Sequence, residues 1–186
     1  DIQVVVAFRM LPEIIWKLPY KGTFNLHSSL LPQLRGAAPI NHAILNGFTE
    51  TGVTTFFIDE KIDTGQIIYR EKTNIPEEET AGELHDRLMV MGADLVLKTV
   101  KAIETGNVRP TKQEELIHPG EKIYPAPKIF RENCKINWTD SATNIHNLIR
   151  GMSPIPGAHC TIEFQNGIHK GIKIFRAQKV NHKPLG

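Results

Sequence analysis

Four prolines, Pro110, Pro119, Pro125 and Pro127, fall between Gly106 and Cys134, where no hydrophobic period survives. Proline fixes φ and lacks a backbone N–H, so this stretch can be neither a continuous helix nor a central strand. The chain is therefore expected to fold as two bodies joined by a linker, with boundaries at 1–105, 106–135 and 136–186. Charge agrees with the division. Residues 136–186 carry six Lys/Arg against two Asp/Glu, a balance of 6 − 2 = +4, whereas residues 1–135 carry sixteen against eighteen, or −2. Over all 186 residues the net charge is +2 with 40% hydrophobic residues, a balance that excludes general disorder and demands no acidic partner or membrane surface.

The first body alternates strand-like and helix-like segments, which predicts an α/β fold. Ile2 to Phe8 is nearly all apolar and β-branched, as expected of a strand buried on both faces of a parallel sheet. A short helix through Leu18, with Pro12 at its start, precedes a strand over 23–27. Pro39 to Asn46 reads as a helix stopped by Gly47. Residues 53–58 and 66–73 read as a hairpin-like strand pair, and Thr80 with Glu83 is a capping box opening a long helix that presents Leu84, Leu88, Met91, Leu95 and Val96. Beyond the linker, 141–150 reads as a helix, and alternation around 160–164 and 172–177 predicts antiparallel strands.

No apolar run approaches the roughly 20 residues of a membrane span, so no membrane partner is expected and the chain reads as cytoplasmic. Cys134 and Cys160 lie far apart and read as ordinary thiols. The eight histidines are scattered without metal-ligand spacing, so no metal is expected. Neither a P-loop nor a G-x-G-x-x-G run occurs. Trp16 and Trp138 read as packing residues, and Glu77 to Glu79 as a solvated lead-in to the long helix.

The run from Phe24 to Ile40 is the most informative. Asn25 and His27, two apart on a strand, emerge on the same face near its carboxyl end, where open α/β sheets place their sites. An amide donor beside a group that titrates near neutrality suits acyl transfer: one stabilises an oxyanion, the other moves protons. Asp63, on the Ile62-Asp63-Thr64-Gly65 loop, could supply a carboxylate to His27 if the loop folds back. The alternative is that the pair caps the strand end and that Leu30, Leu31 and Pro32 pack beneath a loop.

The F-N-L-H-S-S-L-L-P-x-x-R-G-A-A-P run and the I-D-E-x-I-D-T-G run closely resemble the folate-dependent formyltransferases. The resemblance implies the C-terminal half of a Rossmann-like formyltransferase domain, linked to an incomplete β-rich module of open-barrel, OB-like type. The chain would then be a fragment lacking the start of the first domain and the end of the second. It implies 10-formyltetrahydrofolate as formyl donor and Asn25, His27 and Asp63 as the catalytic set. Phe8, Arg9, Met10 and Leu11, with Ser29, Leu30, Leu31, Pro32 and Asp59, would contact the folate. Weaker signals, from Arg35 to Pro39, Ala126 to Ile129 and Ile136 to Trp138, favour the α-amine of initiator methionyl-tRNA as acceptor. Arg35, Arg150, Lys170 and Lys173 are then the expected nucleic-acid contacts, with Arg176, Lys179 and Lys183 also in the basic region. A monomer is expected. A sugar-nucleotide or other small-amine acceptor, and a non-catalytic RNA-binding scaffold, stay open as alternatives.

Overall fold

The structure, a computed structural model, describes residues 1–6, 11–165 and 167–180. The first body is a four-stranded mixed sheet in the order β1-β2-β3-β4, formed by β1 (Gln3–Val6), β2 (Thr23–His27), β3 (Glu50–Phe57) and β4 (Ile67–Asn74). β1 and β2 are parallel, and the β2/β3 and β3/β4 pairs are antiparallel. The expected hairpin-like pair is thus present. Of the expected strand over 2–8, the described residues form β1 over Gln3–Val6. β1 is the outer strand, Val4 and Val6 are 39% and 57% exposed, and only Val5 is buried.

Two short helices, α1 (Glu13–Trp16) and α2 (Pro39–Leu45), flank β2 in sequence. Proline opens α2, where its missing N–H costs nothing, and Gly47 at φ 71° follows its end. The long helix α3 (Ala81–Glu104) starts on the predicted capping box: the Thr80 side chain accepts from the Glu83 N–H, and the Glu83 carboxylate accepts from the Thr80 N–H at 2.9 Å. Its Leu84, Leu88 and Leu95 are buried against the sheet. At Gly92 a Cβ would stand 2.6 Å from the Leu26 side chain of β2. Further along, Thr99 and Thr55 pair by a 2.8 Å hydrogen bond and so satisfy two buried hydroxyls.

The connecting stretch forms only two 3₁₀ turns, Gln113–Leu116 and Arg131–Cys134, yet it is fastened to the first body. Leu34 donates to the Tyr124 carbonyl at 2.8 Å, Ala126 to that of Arg35 at 2.8 Å, and Ala38 to that of Ala126 at 3.1 Å. The remainder consists of α4 (Ala142–Gly151), capped by Ser141, and an antiparallel pair, β5 (Ala158–Glu163) with β6 (His169–Ile174). Cys134, Ile136, Ile149, Met152, Ala158 and Cys160 form its core, so both thiols are buried and free. No helix among the described residues is long and apolar enough to cross a membrane, and none of them cluster as a metal site.

Candidate active site

β2 is hydrogen-bonded to a strand on each side, so whatever it carries is held rigidly. Asn25 pairs in register with Val5 and Phe56, and His27 with Thr54. Both are buried, 5% and 6% exposed, and both border a cavity of about 1140 Å³ beside the carboxyl ends of β1 and β2. The period-2 expectation of one shared face is therefore realised as one shared cavity wall.

The loop after β3 brings in Asp63. Its backbone turns at φ 55°, and its carboxylate Oδ2 lies 3.8 Å from His27 Nδ1 and accepts from the Gly36 N–H at 2.9 Å. Gly36 itself sits at φ 127°, and a Cβ there would stand 2.4 Å from the Ala126 carbonyl oxygen, so only glycine fits. The other ring nitrogen, His27 Nε2, is 2.9 Å from the Leu34 carbonyl oxygen. A carbonyl can only accept, so Nε2 carries the proton and Nδ1 is left as the acceptor facing Asp63. Burial holds the imidazole below its ordinary range, outweighing the Asp63 carboxylate and the Leu34 carbonyl, which favour the proton. Burial thus favours the neutral imidazole over the imidazolium.

Asn25 shows a different imbalance. Its Oδ1 is buried and has no hydrogen-bond partner among the described residues. An unmatched buried amide oxygen costs about 1–3 kcal/mol, an expense common where a ligand completes the set.

The other expected site residues divide. Leu11 and Asp59 border the cavity. Asp59 Oδ1 also shapes its loop, accepting from Lys61 N–H at 3.0 Å and Thr64 Oγ1–H at 2.7 Å. Phe8, Arg9 and Met10 lie outside the described residues. Ser29, Leu30, Leu31 and Pro32 do not line the cavity: Ser29 and Leu31 are fully buried, Pro32 is buried, and Leu30 is half-buried. Ser29 Oγ donates to the Gln33 carbonyl at 2.6 Å, and Thr54 Oγ1 donates to the Ser29 carbonyl at 2.6 Å, so the turn is sewn onto β3. Ser29 and Leu31 here pack beneath the loop. The apolar walls come instead from Phe56, Ile58, Ile62, Leu88 and Met89. Leu88 carries a signal in the helical period of α3, but that period points equally to core.

The basic residues are scattered. Arg35 Nε and Nη2 donate to Gln113 Oε1 at 3.0 and 2.7 Å. Arg150 is 7% exposed and donates to Asn147 Oδ1 and to the Pro76 and Glu79 carbonyls, so it ties the two bodies together. Lys170 and Lys173 are exposed but fall on opposite faces of β6, and Lys173 Nζ donates to the Pro156 carbonyl at 2.7 Å. Arg176 pairs with Glu83, and Lys179 with Glu77. Lys183 lies outside the described residues.

Comparison with known proteins supplies the context. Residues 1–100 match the family described as "Formyl transferase", and residues 128–186 match "Formyl transferase, C-terminal domain". The chain is 52% identical over 180 residues to a methionyl-tRNA formyltransferase of Phocaeicola vulgatus, covering 97% of this chain and 56% of that protein. It thus spans little more than half the length of this curated relative. Among solved structures, a 4-N formyltransferase from Francisella tularensis superposes with a TM-score of 0.75 at 19% identity, covering 97% of this chain and 72% of its own, which speaks to the fold alone. An N-formyltransferase from Helicobacter canadensis, solved with folinic acid and dTDP-3-aminofucose, matches with a TM-score of 0.60 at 27% identity, covering 76% of this chain and 55% of its own. A match over 100 residues exceeds half the chain, and the chain therefore belongs to the formyl transferase family.

Proposed function

We propose that this chain is the part of a formyltransferase that moves the formyl group of 10-formyltetrahydrofolate onto the α-amine of initiator methionyl-tRNA. The observation that carries the reading is the meeting of Asn25, His27 and Asp63 at one cavity, with the imidazole backed by a carboxylate. The acceptor is favoured by the 52% identical relative. Folate, a substrate here, fits a cavity of about 1140 Å³ walled by Phe56, Ile58 and Leu88, with Asn25 offering the unmet polar group.

The residues then divide the work. Asn25 presents its amide N–H to the formyl oxygen as negative charge grows there during attack by the amine. His27 Nδ1 takes the proton released by the amine as the new C–N bond forms, and Asp63 stabilises the resulting imidazolium. The same proton is returned to the folate nitrogen as its bond to the formyl carbon breaks, so atoms and charge balance without a covalent enzyme intermediate. A protonated resting His27 is the less favourable form, because burial disfavours it.

Residues 1–105 serve in this reading as the catalytic body, 106–135 as a fastened connector, and 136–186 as part of an OB-like tRNA-binding module; the family match over 128–186 supports a formyl transferase C-terminal domain there. Such an acceptor is met in the cytoplasm by a monomeric enzyme. Lys170 is the best-placed of the named cations to meet a phosphate, since Arg35, Arg150 and Lys173 already donate to protein oxygens.

The test uses the whole protein with 10-formyltetrahydrofolate, comparing charged initiator tRNA with amino-sugar nucleotides as acceptors. Formylation of the tRNA, lost in Asn25→Ala, is expected. Turnover only on the sugar nucleotide would replace the acceptor, and full tRNA turnover by Asn25→Ala would remove the mechanism.

A further inference from the structure

We propose that Gln113 is a positioning residue of this reaction, holding the Asp63 carboxylate beside His27 by clamping both the loop that carries Asp63 and the segment that binds it. The proposal rests on the formyl-transfer reading above. Gln113 opens a 3₁₀ turn of the connecting stretch, outside both segments matched by the family, and it is fully buried without bordering the cavity.

Its carboxamide is used to capacity. Nε2 donates to the carbonyl oxygens of Asp63 and Gly65, each at 2.9 Å, and Oε1 accepts from Nε and Nη2 of Arg35 at 3.0 and 2.7 Å. Two donors and two lone pairs are all a glutamine side chain has. The partners also dictate which way the amide faces. A flip would set its NH₂ against a guanidinium and its oxygen against two carbonyls.

Each bond bears on the carboxylate. Asp63 adopts φ 55°, a region that non-glycine residues keep only when their surroundings over-determine it. The inward carbonyls on either side of Thr64 need donors, and Gln113 supplies both. Arg35 directly precedes Gly36, whose N–H holds Asp63 Oδ2 at 2.9 Å. The 3.8 Å approach of Asp63 to His27 is therefore set by two chain segments, and one buried side chain joins them. A displacement of about 1 Å near a reacting group can cost on the order of a hundredfold in rate.

A double-mutant cycle on the whole protein, assayed with 10-formyltetrahydrofolate and charged initiator tRNA, tests this. Gln113→Met is expected to lower kcat roughly tenfold to a hundredfold, and to add nothing further in an Asp63→Asn background. A role in stability alone would lower the melting temperature and give losses that add. Gln113→Glu keeps the acceptor for Arg35 and replaces the donors to Asp63 and Gly65 with a carboxylate oxygen that repels both carbonyls; it carries the same expectation and decides the matter if Gln113→Met does not fold. Additive losses, or unchanged kcat in the folded single variant, overturn the proposal. Should Asp63→Asn alone leave turnover intact, the catalytic reading of Asp63 fails instead, a result distinct from a silent Gln113.

Discussion

The end of β2 and the turn that follows it, Asn25 to Pro32, are eight residues of continuous chain with opposite characters. Asn25 and His27 are buried polar groups facing a cavity, one with an oxygen left unmatched. Ser29 to Pro32 is a turn whose hydroxyl and first three carbonyls are paired and whose Leu31 and Pro32 are buried. In the first stretch, hydrogen-bonding capacity is withheld from the fold and left for a ligand. In the second it is spent on the fold. A sequence motif that spans both thus contains two kinds of residue, and substitution should separate them.

The largest effect expected is on turnover. Asn25→Ala should lower kcat by on the order of a hundredfold or more, as loss of an oxyanion donor does. Removing an unpaired buried oxygen leaves no partner stranded, so the melting temperature should hold or rise. A large fall in stability without a fall in kcat would erase the contrast between the two stretches. Leu31→Ala should behave inversely, costing about 2–5 kcal/mol by denaturant unfolding while the folded enzyme keeps most of its turnover. Ser29→Ala should cost about 1 kcal/mol, the worth of one hydrogen bond to the Gln33 carbonyl, with folate affinity unchanged; a marked loss of affinity would return Ser29 to the cavity.

The smallest effect is a shift in pH dependence. In the proposed mechanism neutral His27 is the proton acceptor, so activity should be level near pH 7 and fall as pH drops through a pKa that burial holds below the ordinary histidine range. Asp63 favours the proton on His27, so Asp63→Asn should move this acid limb to still lower pH in whatever turnover remains. A limb that moves toward neutrality would mean that the carboxylate does not face the ring.

Much of this was legible in the chain itself. The capping box at Thr80, the hairpin of β3 with β4, and the Pro39 and Gly47 limits of α2 follow from local chemistry, which acts over a few residues and leaves a pattern. Asn25 and His27 were placed on one face by a period of two. The burial of Gln113 was not legible, because a lone polar residue in a proline-rich stretch leaves no hydrophobic period. Nor was the fate of Arg150, since a cation in a basic stretch gives no sign that its partners are carbonyls of Pro76 and Glu79.

By itself, then, the sequence determined the order of the elements, their limits and the pairing of an amide with an imidazole, because backbone propensity and side-chain period are local. Only the tertiary structure decided that Asp63 reaches His27, that the proton on the ring faces Leu34, and that a glutamine from the proline-rich connector locks the loop. Those outcomes depend on hydrogen bonds between residues 7 to 50 positions apart, whose geometry no short-range pattern encodes.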